Sequence, residues 1–214
     1  MSSPREILSA ALARHPLVAI LRGVRPDEVE AIADAIVAAG FTMIEVPLNS
    51  PDPLASIERL SRRYGEDVLV GAGTVLSPGD VEAVARAGGR LIVSPNVNGE
   101  VIRASAAKGL LSLPGFFTPS EAFAAIEAGA TGLKLFPAEG ASPVVLKAMR
   151  AVLPKDMPVF AVGGVGVANL GEWMAAGADG AGLGSGLYKP GMSAEEVGAR
   201  AAEFSDALRN ARAA

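Results

Sequence analysis

Short apolar runs and helix-like segments alternate along this chain with hardly a break. LVAILRG (17–23) precedes DEVEAIADAIVAAG, MIEVPL (43–48) precedes PDPLASIERLSRRYG, and VLVGAGT (68–74) precedes PGDVEAVARAGG. LIVSPN (91–96) leads into GEVIRASAAKG, LLSLPG (110–115) into TPSEAFAAIEAG, and GLKLFPA (132–138) into SPVVLKAMRAVLP. PVFAVGG (158–164) is followed by VANLGEWMAAG, and GAGLGS (180–185) by SAEEVGARAAEFSDALRNAR. Such alternation predicts a parallel sheet with helical crossovers. Eight units in 214 residues match a closed (β/α)8 TIM barrel, with a doubly wound open sheet as the alternative. A short amphipathic helix over about residues 4 to 13 precedes the first unit.

Glycines close the helices, as in AAG (38–40) and EAG (127–129), where a left-handed cap needs no Cβ. Ser77-Pro78 and Thr118-Pro119 read as a cap followed by a first-turn proline. With no linker or low-complexity tract, residues 1–214 are expected to form one domain, with 1–16 as helix and lead-in.

Half of the residues are hydrophobic, so one sizeable core is within reach. A net charge of −4 offers no basic field for nucleic acid. No apolar run is long enough to span a membrane, and the charged N-terminal stretch does not suit a signal peptide. A cytoplasmic protein is expected. Zero cysteines leave no thiolate chemistry. His15, the single histidine, precedes the first strand, and carboxylates are sparse at the strand ends, so neither a metal nor another cofactor is expected.

In a (β/α)8 barrel the active site lies at the C-terminal ends of the strands. Those ends carry Arg22, Glu45 with Asn49, Thr74, Pro95, Lys134 with Phe136, Gly163-Gly164 and Ser185. Side chains alternate along a strand, so Lys134 and Phe136 share one face while Leu133 and Leu135 share the other. By the same rule Glu45 opposes Ile44 and Val46. Glu45 and Lys134 should therefore both face the barrel interior. They are then either a structural ion pair or a proton carrier and a nucleophile. A desolvated lysine attacks carbonyls and forms Schiff bases. Glycine-rich VGGVG (162–166) and GLGSG (182–186) end the seventh and eighth strands, where barrels often bind phosphate on backbone N–H groups and a short extra helix. A sugar-phosphate epimerase would need metal-binding histidines and aspartates that the strand ends lack. A non-catalytic phosphosugar-binding barrel would have no use for a buried lysine and glutamate together.

Taken together, AILRG, EVPLNSP, GAGTVL, LIVSPN, LKLFPA, AVGG and GAGLGSGLY resemble the 2-keto-3-deoxy-6-phosphogluconate aldolases and their galactonate-specific relatives over residues 17 to 190. The resemblance implies a cofactor-free homotrimer that cleaves a phosphorylated keto-deoxy sugar acid to pyruvate and glyceraldehyde 3-phosphate through a lysine imine. It puts that imine on Lys134, proton transfer on Glu45, the pyruvyl carboxylate by Thr74, the pyruvyl walls on Pro95 and Phe136, and the phosphate by Gly163, Gly164 and Ser185. Gluconate-type members have an arginine where this chain has Asn49, and Pro-Thr where it has Ala161-Val162. Arg22 with ILRG and EVPLNSP is similar to the galactonate branch, so 2-dehydro-3-deoxy-6-phosphogalactonate is the implied substrate. The gluconate epimer, or use of both, is the alternative.

Overall fold

The computed structural model describes residues 3–213, so Met1, Ser2 and Ala214 of the expected domain lie outside the described residues. Its strands are β1 (Leu17–Ile20), β2 (Met43–Pro47), β3 (Leu69–Gly73), β4 (Leu91–Val93), β5 (Leu111–Leu113), β6 (Gly115–Phe116), β7 (Leu133–Leu135), β8 (Val159–Val162) and β9 (Gly180–Leu183). The helices are α1 (Pro4–Arg14), α2 (Val29–Ala38), α3 (Pro53–Tyr64), α4 (Pro78–Arg86), α5 (Gly99–Ala107), α6 (Pro119–Glu127), α7 (Pro143–Arg150), α8 (Leu170–Ala175) and α9 (Ala194–Ala213). None of the described helices is long and apolar enough to cross a membrane.

All strand pairs are parallel, in the order β5-β4-β3-β2-β1-β9-β8-β7-β6. The two ends of that order are halves of one predicted strand, LLSLPG, divided at Pro114. Proline has no N–H to give to a ladder, so the strand breaks there. Its carbonyl still accepts from Lys134 N at 2.9 Å, and Ser94 N donates to Leu113 O at 3.3 Å, which closes the ring. Nine strands thus fill the eight positions of a (β/α)8 barrel.

Strand alternation divides the core in two. Ile44, Val46, Val70, Ala72, Ile92, Leu133, Leu135, Val159 and Ala161 pack outward against the helices. Val18, Ile20, Met43, Leu69, Leu91, Val93, Leu111, Leu113, Phe160 and Val162 fill the interior, joined by Leu8 and Ala11 of α1. The N-terminal helix is therefore a plug: its apolar side chains seal the end of the barrel where the strands begin. The predicted caps are formed, with Ser77 and Thr118 each making a reciprocal box with Asp80 and Glu121, and with Gly40 and Gly129 at positive φ.

Candidate active site

Glu45 and Lys134 lie on β2 and β7, in the interior layer nearest the strand C-termini, with 2% and 6% of their surfaces exposed. They line one small cavity, walled by Val18, Ile20, Val93, Leu113, Phe160 and Val162. No salt bridge among the described residues includes either group. Oε2 of Glu45 is buried without a hydrogen-bond partner. A structural ion pair would have satisfied both charges; here no such pair forms, and the Glu45 carboxyl keeps an oxygen without a partner.

Burial dominates their chemistry. Desolvation pushes the Glu45 carboxyl up to about 7, opposed by the positive charges of Lys134 and Arg22. Desolvation lowers the Lys134 ammonium, opposed by Glu45 and helped by Arg22. A lysine held this way carries a neutral, nucleophilic amine more readily than a solvated one. Its Nζ lies 4.5 Å from the centroid of the Phe136 ring, which also packs on the interior cluster.

Room for the carboxylate comes from β3, which turns Leu69, Gly71 and Gly73 inward. A Cβ on Gly73 would stand 1.6 Å from Glu45 Oε2. Nothing in the spacing of GAGT alone reveals this, because the neighbour it makes way for is 28 residues away (73 − 45). The next residue, Thr74, is half-buried and has φ of 57°, a left-handed conformation that costs a residue other than glycine roughly 1 kcal/mol or more.

Arg22 and Asn49 are exposed at the rim, where Arg22 Nη1 donates to Asn49 Oδ1 at 2.6 Å. Gly23 N donates to the buried Ser50 hydroxyl at 2.9 Å, tying the loop after β1 to the loop after β2. Ser50 went unnoticed in the sequence because nothing marks it until those loops meet. Pro95 is half-buried beside β6, its carbonyl oxygen 2.4 Å from where a Gly115 Cβ would project. Thr74, Pro95, Arg22 and Asn49 are outside the cavity lining, whereas Val162 forms part of it.

The two glycine loops come together because β8 and β9 are neighbours. A Cβ on Gly186 would lie 3.7 Å from Val165 O. Gly163 and Gly164 have φ of 105° and 67°. Asn169 braces the first loop, accepting from Gly166 N and donating to Gly164 O. Arg200 on α9 braces the second through the carbonyls of Ser185 and Gly186. Gly184–Leu187 make a turn, closed by Leu187 N and Tyr188 N on Gly184 O.

The site is thus a buried lysine and a buried glutamate, neither in a salt bridge, at the C-terminal end of a closed parallel barrel. The family model for KDPG and KHG aldolase matches residues 8–208, and the chain belongs to that family, whose members are carbon–carbon lyases. It is 51% identical over 196 residues to the 2-dehydro-3-deoxy-6-phosphogalactonate aldolase of Escherichia coli (strain K12), covering 92% of this chain and 96% of that one. It is 54% identical over 186 residues to a probable 2-dehydro-3-deoxy-6-phosphogalactonate aldolase of Rhizobium meliloti (strain 1021), covering 87% and 88%. A solved structure described as native KDPGal superposes with a TM-score of 0.92 at 50% identity, covering 93% of this chain and 97% of that one.

Proposed function

We propose that the chain cleaves 2-dehydro-3-deoxy-6-phospho-D-galactonate to pyruvate and D-glyceraldehyde 3-phosphate, with Lys134 as the imine-forming residue. The observation that carries this is a buried lysine sharing a small cavity with a buried carboxylate, neither of them paired. The neutral Lys134 amine adds to the C2 carbonyl carbon. Glu45, directly or through a water, supplies the proton with which the carbinolamine hydroxyl leaves as water. The resulting iminium draws electrons. Glu45, now a carboxylate, takes the proton of the C4 hydroxyl, and the C3–C4 bonding pair moves into the enamine as glyceraldehyde 3-phosphate departs. Protonation of C3 and addition of water to the iminium release pyruvate and restore the amine.

Arg22, Asn49 and Thr74 hold the substrate carboxylate, Pro95, Phe136 and Val162 wall the reacting carbons, and Gly163, Gly164 and Ser185 receive the phosphate. Binding at these two remote ends fixes the reacting bond between them. Asn49 beside Arg22, and an apolar Val162 in place of a hydroxyl, favour the galactonate epimer. The chain works as one barrel domain, in the cytoplasm, as a homotrimer. Exposed Phe117, Phe123, Val144 and Val145, on the segments after β6 and β7, offer an apolar surface for a second copy.

Borohydride reduction in the presence of pyruvate should fix one pyruvyl group on Lys134 and none on Lys134→Ala. Trapping that persists on another lysine would reject the assignment. Pyruvate release from the two epimers, measured side by side, should favour galactonate; equal rates would reduce Arg22, Asn49 and Val162 to general contacts.

A further inference from the structure

Ser94 has no part in the roles above, yet it stands just beyond β4, between Val93 of the cavity wall and Pro95. Val93 turns inward, so alternation turns Ser94 outward, into the layer where Ile92 packs. Its side chain is buried, with 3% of the residue exposed, and a buried hydroxyl is costly unless it finds a partner. The partner is the Val75 carbonyl, to which Ser94 Oγ donates at 2.8 Å. Val75 N donates in turn to Val93 O at 3.1 Å, so the end of β4 holds both polar groups of the Val75 backbone. On the other side of Thr74, Gly73 O accepts from Leu48 N at 2.8 Å. Of these three bonds only the one from Ser94 comes from a side chain. They flank the residue that most needs them. A φ of 57° on β-branched Thr74 is a rare conformation, and such strain persists only where the surroundings impose it.

We propose that Ser94 is a positioning residue: through the Val75 carbonyl it holds the loop after β3 in its left-handed shape, and so places Thr74 for the carboxylate of the pyruvyl group. The inference rests on the carboxylate role given above to Thr74. Without the Ser94 hydroxyl, the Val75 carbonyl becomes a buried acceptor with no donor. A shift of the loop towards water relieves both that defect and the strain at Thr74. The shift moves Thr74 and leaves Lys134, on β7, in place. A carboxylate contact is made before and after the imine forms, so its loss appears in saturation and not in turnover.

The test compares Ser94→Val with Ser94→Thr, which have nearly the same shape and differ by the hydroxyl. The pyruvate concentration for half-maximal borohydride trapping on Lys134 should be about ten-fold higher in Ser94→Val, with the same trapped yield at saturation. KM for the phosphorylated substrate should rise by a similar factor, while kcat changes by less than about two-fold. In a Thr74→Ala background the two variants should be indistinguishable, because Ser94 acts through Thr74. Ser94→Ala, which adds no bulk, should differ from wild type as Ser94→Val differs from Ser94→Thr, and it carries the test where the larger side chains impair folding. Equal half-saturation with and without the hydroxyl overturns the inference, as does a difference that persists in the Thr74→Ala background. If wild type traps no pyruvate, the aldolase reading falls and hydrogen exchange at the Val75 N–H judges Ser94. Exchange about ten-fold faster in Ser94→Val than in Ser94→Thr supports the clamp, and equal exchange overturns it.

Discussion

The two ends of the barrel interior are built by the same strands and differ by a step of two residues. At the N-terminal end Met43, Leu69, Leu91 and Leu111 meet Leu8 and Ala11 of α1 in a packed apolar layer. One step along, β2 presents Glu45 instead of Met43, β3 presents Gly71 with Gly73 a further step on, and β7 presents Lys134. The first layer is closed and contributes stability; the second keeps a cavity and two unpaired ionisable groups, each of which costs stability. The lesson is a division of labour along one axis: the closed end supplies the packing free energy that lets the open end hold charges in an apolar space.

Breaking the open end should damage catalysis first. Gly73→Ala puts a Cβ where Glu45 Oε2 stands, so kcat should fall about 100- to 1000-fold, the range for losing a positioned acid/base, as it should in Glu45→Gln. Pyruvate imine trapping should survive in both variants, and a near-normal kcat for either would remove Glu45 from the mechanism. The closed end should respond in the opposite sense. Leu8→Ala should cost about 3 kcal/mol of unfolding free energy in denaturant titration, with kcat unchanged at a temperature where the protein is folded.

A smaller, pH-dependent effect sharpens the contrast. His15, which ends α1, is buried against Phe41 at a centroid distance of 4.5 Å. Ser205 Oγ donates to Ala39 O, so it accepts from His15 Nε2–H at 3.0 Å, and Nδ1 is left buried without a partner. Desolvation, with Arg212 and Arg209 nearby, lowers this imidazole from 6.5 to about 4. The unfolded chain then takes up the proton first as pH falls. Stability should be full above pH 6.5 and decline towards pH 4, by about 2 kcal/mol, with that decline missing in His15→Gln. Glu45 has the opposite sign. Its folded value lies above the ordinary 4.5, so the stabilising share of its protonated form is present at low pH and lost as pH rises through about 7. Differences in unfolding free energy between wild type and Glu45→Gln, measured from pH 5 to 8, should follow that direction.

Much of the barrel was legible because its information is local. Alternating apolar runs, capping boxes such as Ser77 with Asp80, and glycines at helix ends depend on neighbours a few residues away. The same two-residue alternation placed Glu45 and Lys134 inside before any contact was known. The division at Pro114 was visible as a proline but not as a joint, since only ring closure shows that β5 and β6 occupy one barrel position.

By itself, then, the sequence determined the number of barrel positions, the inward face of each strand and the residue types available for chemistry. Only the tertiary structure decided that Glu45 is left without a partner, that Gly73 rather than a side chain faces it, and that Ser50 joins two rim loops. Each of these rests on residues far apart in sequence meeting across the ring, and the free energy of a buried charge depends on which partners are present at that meeting point.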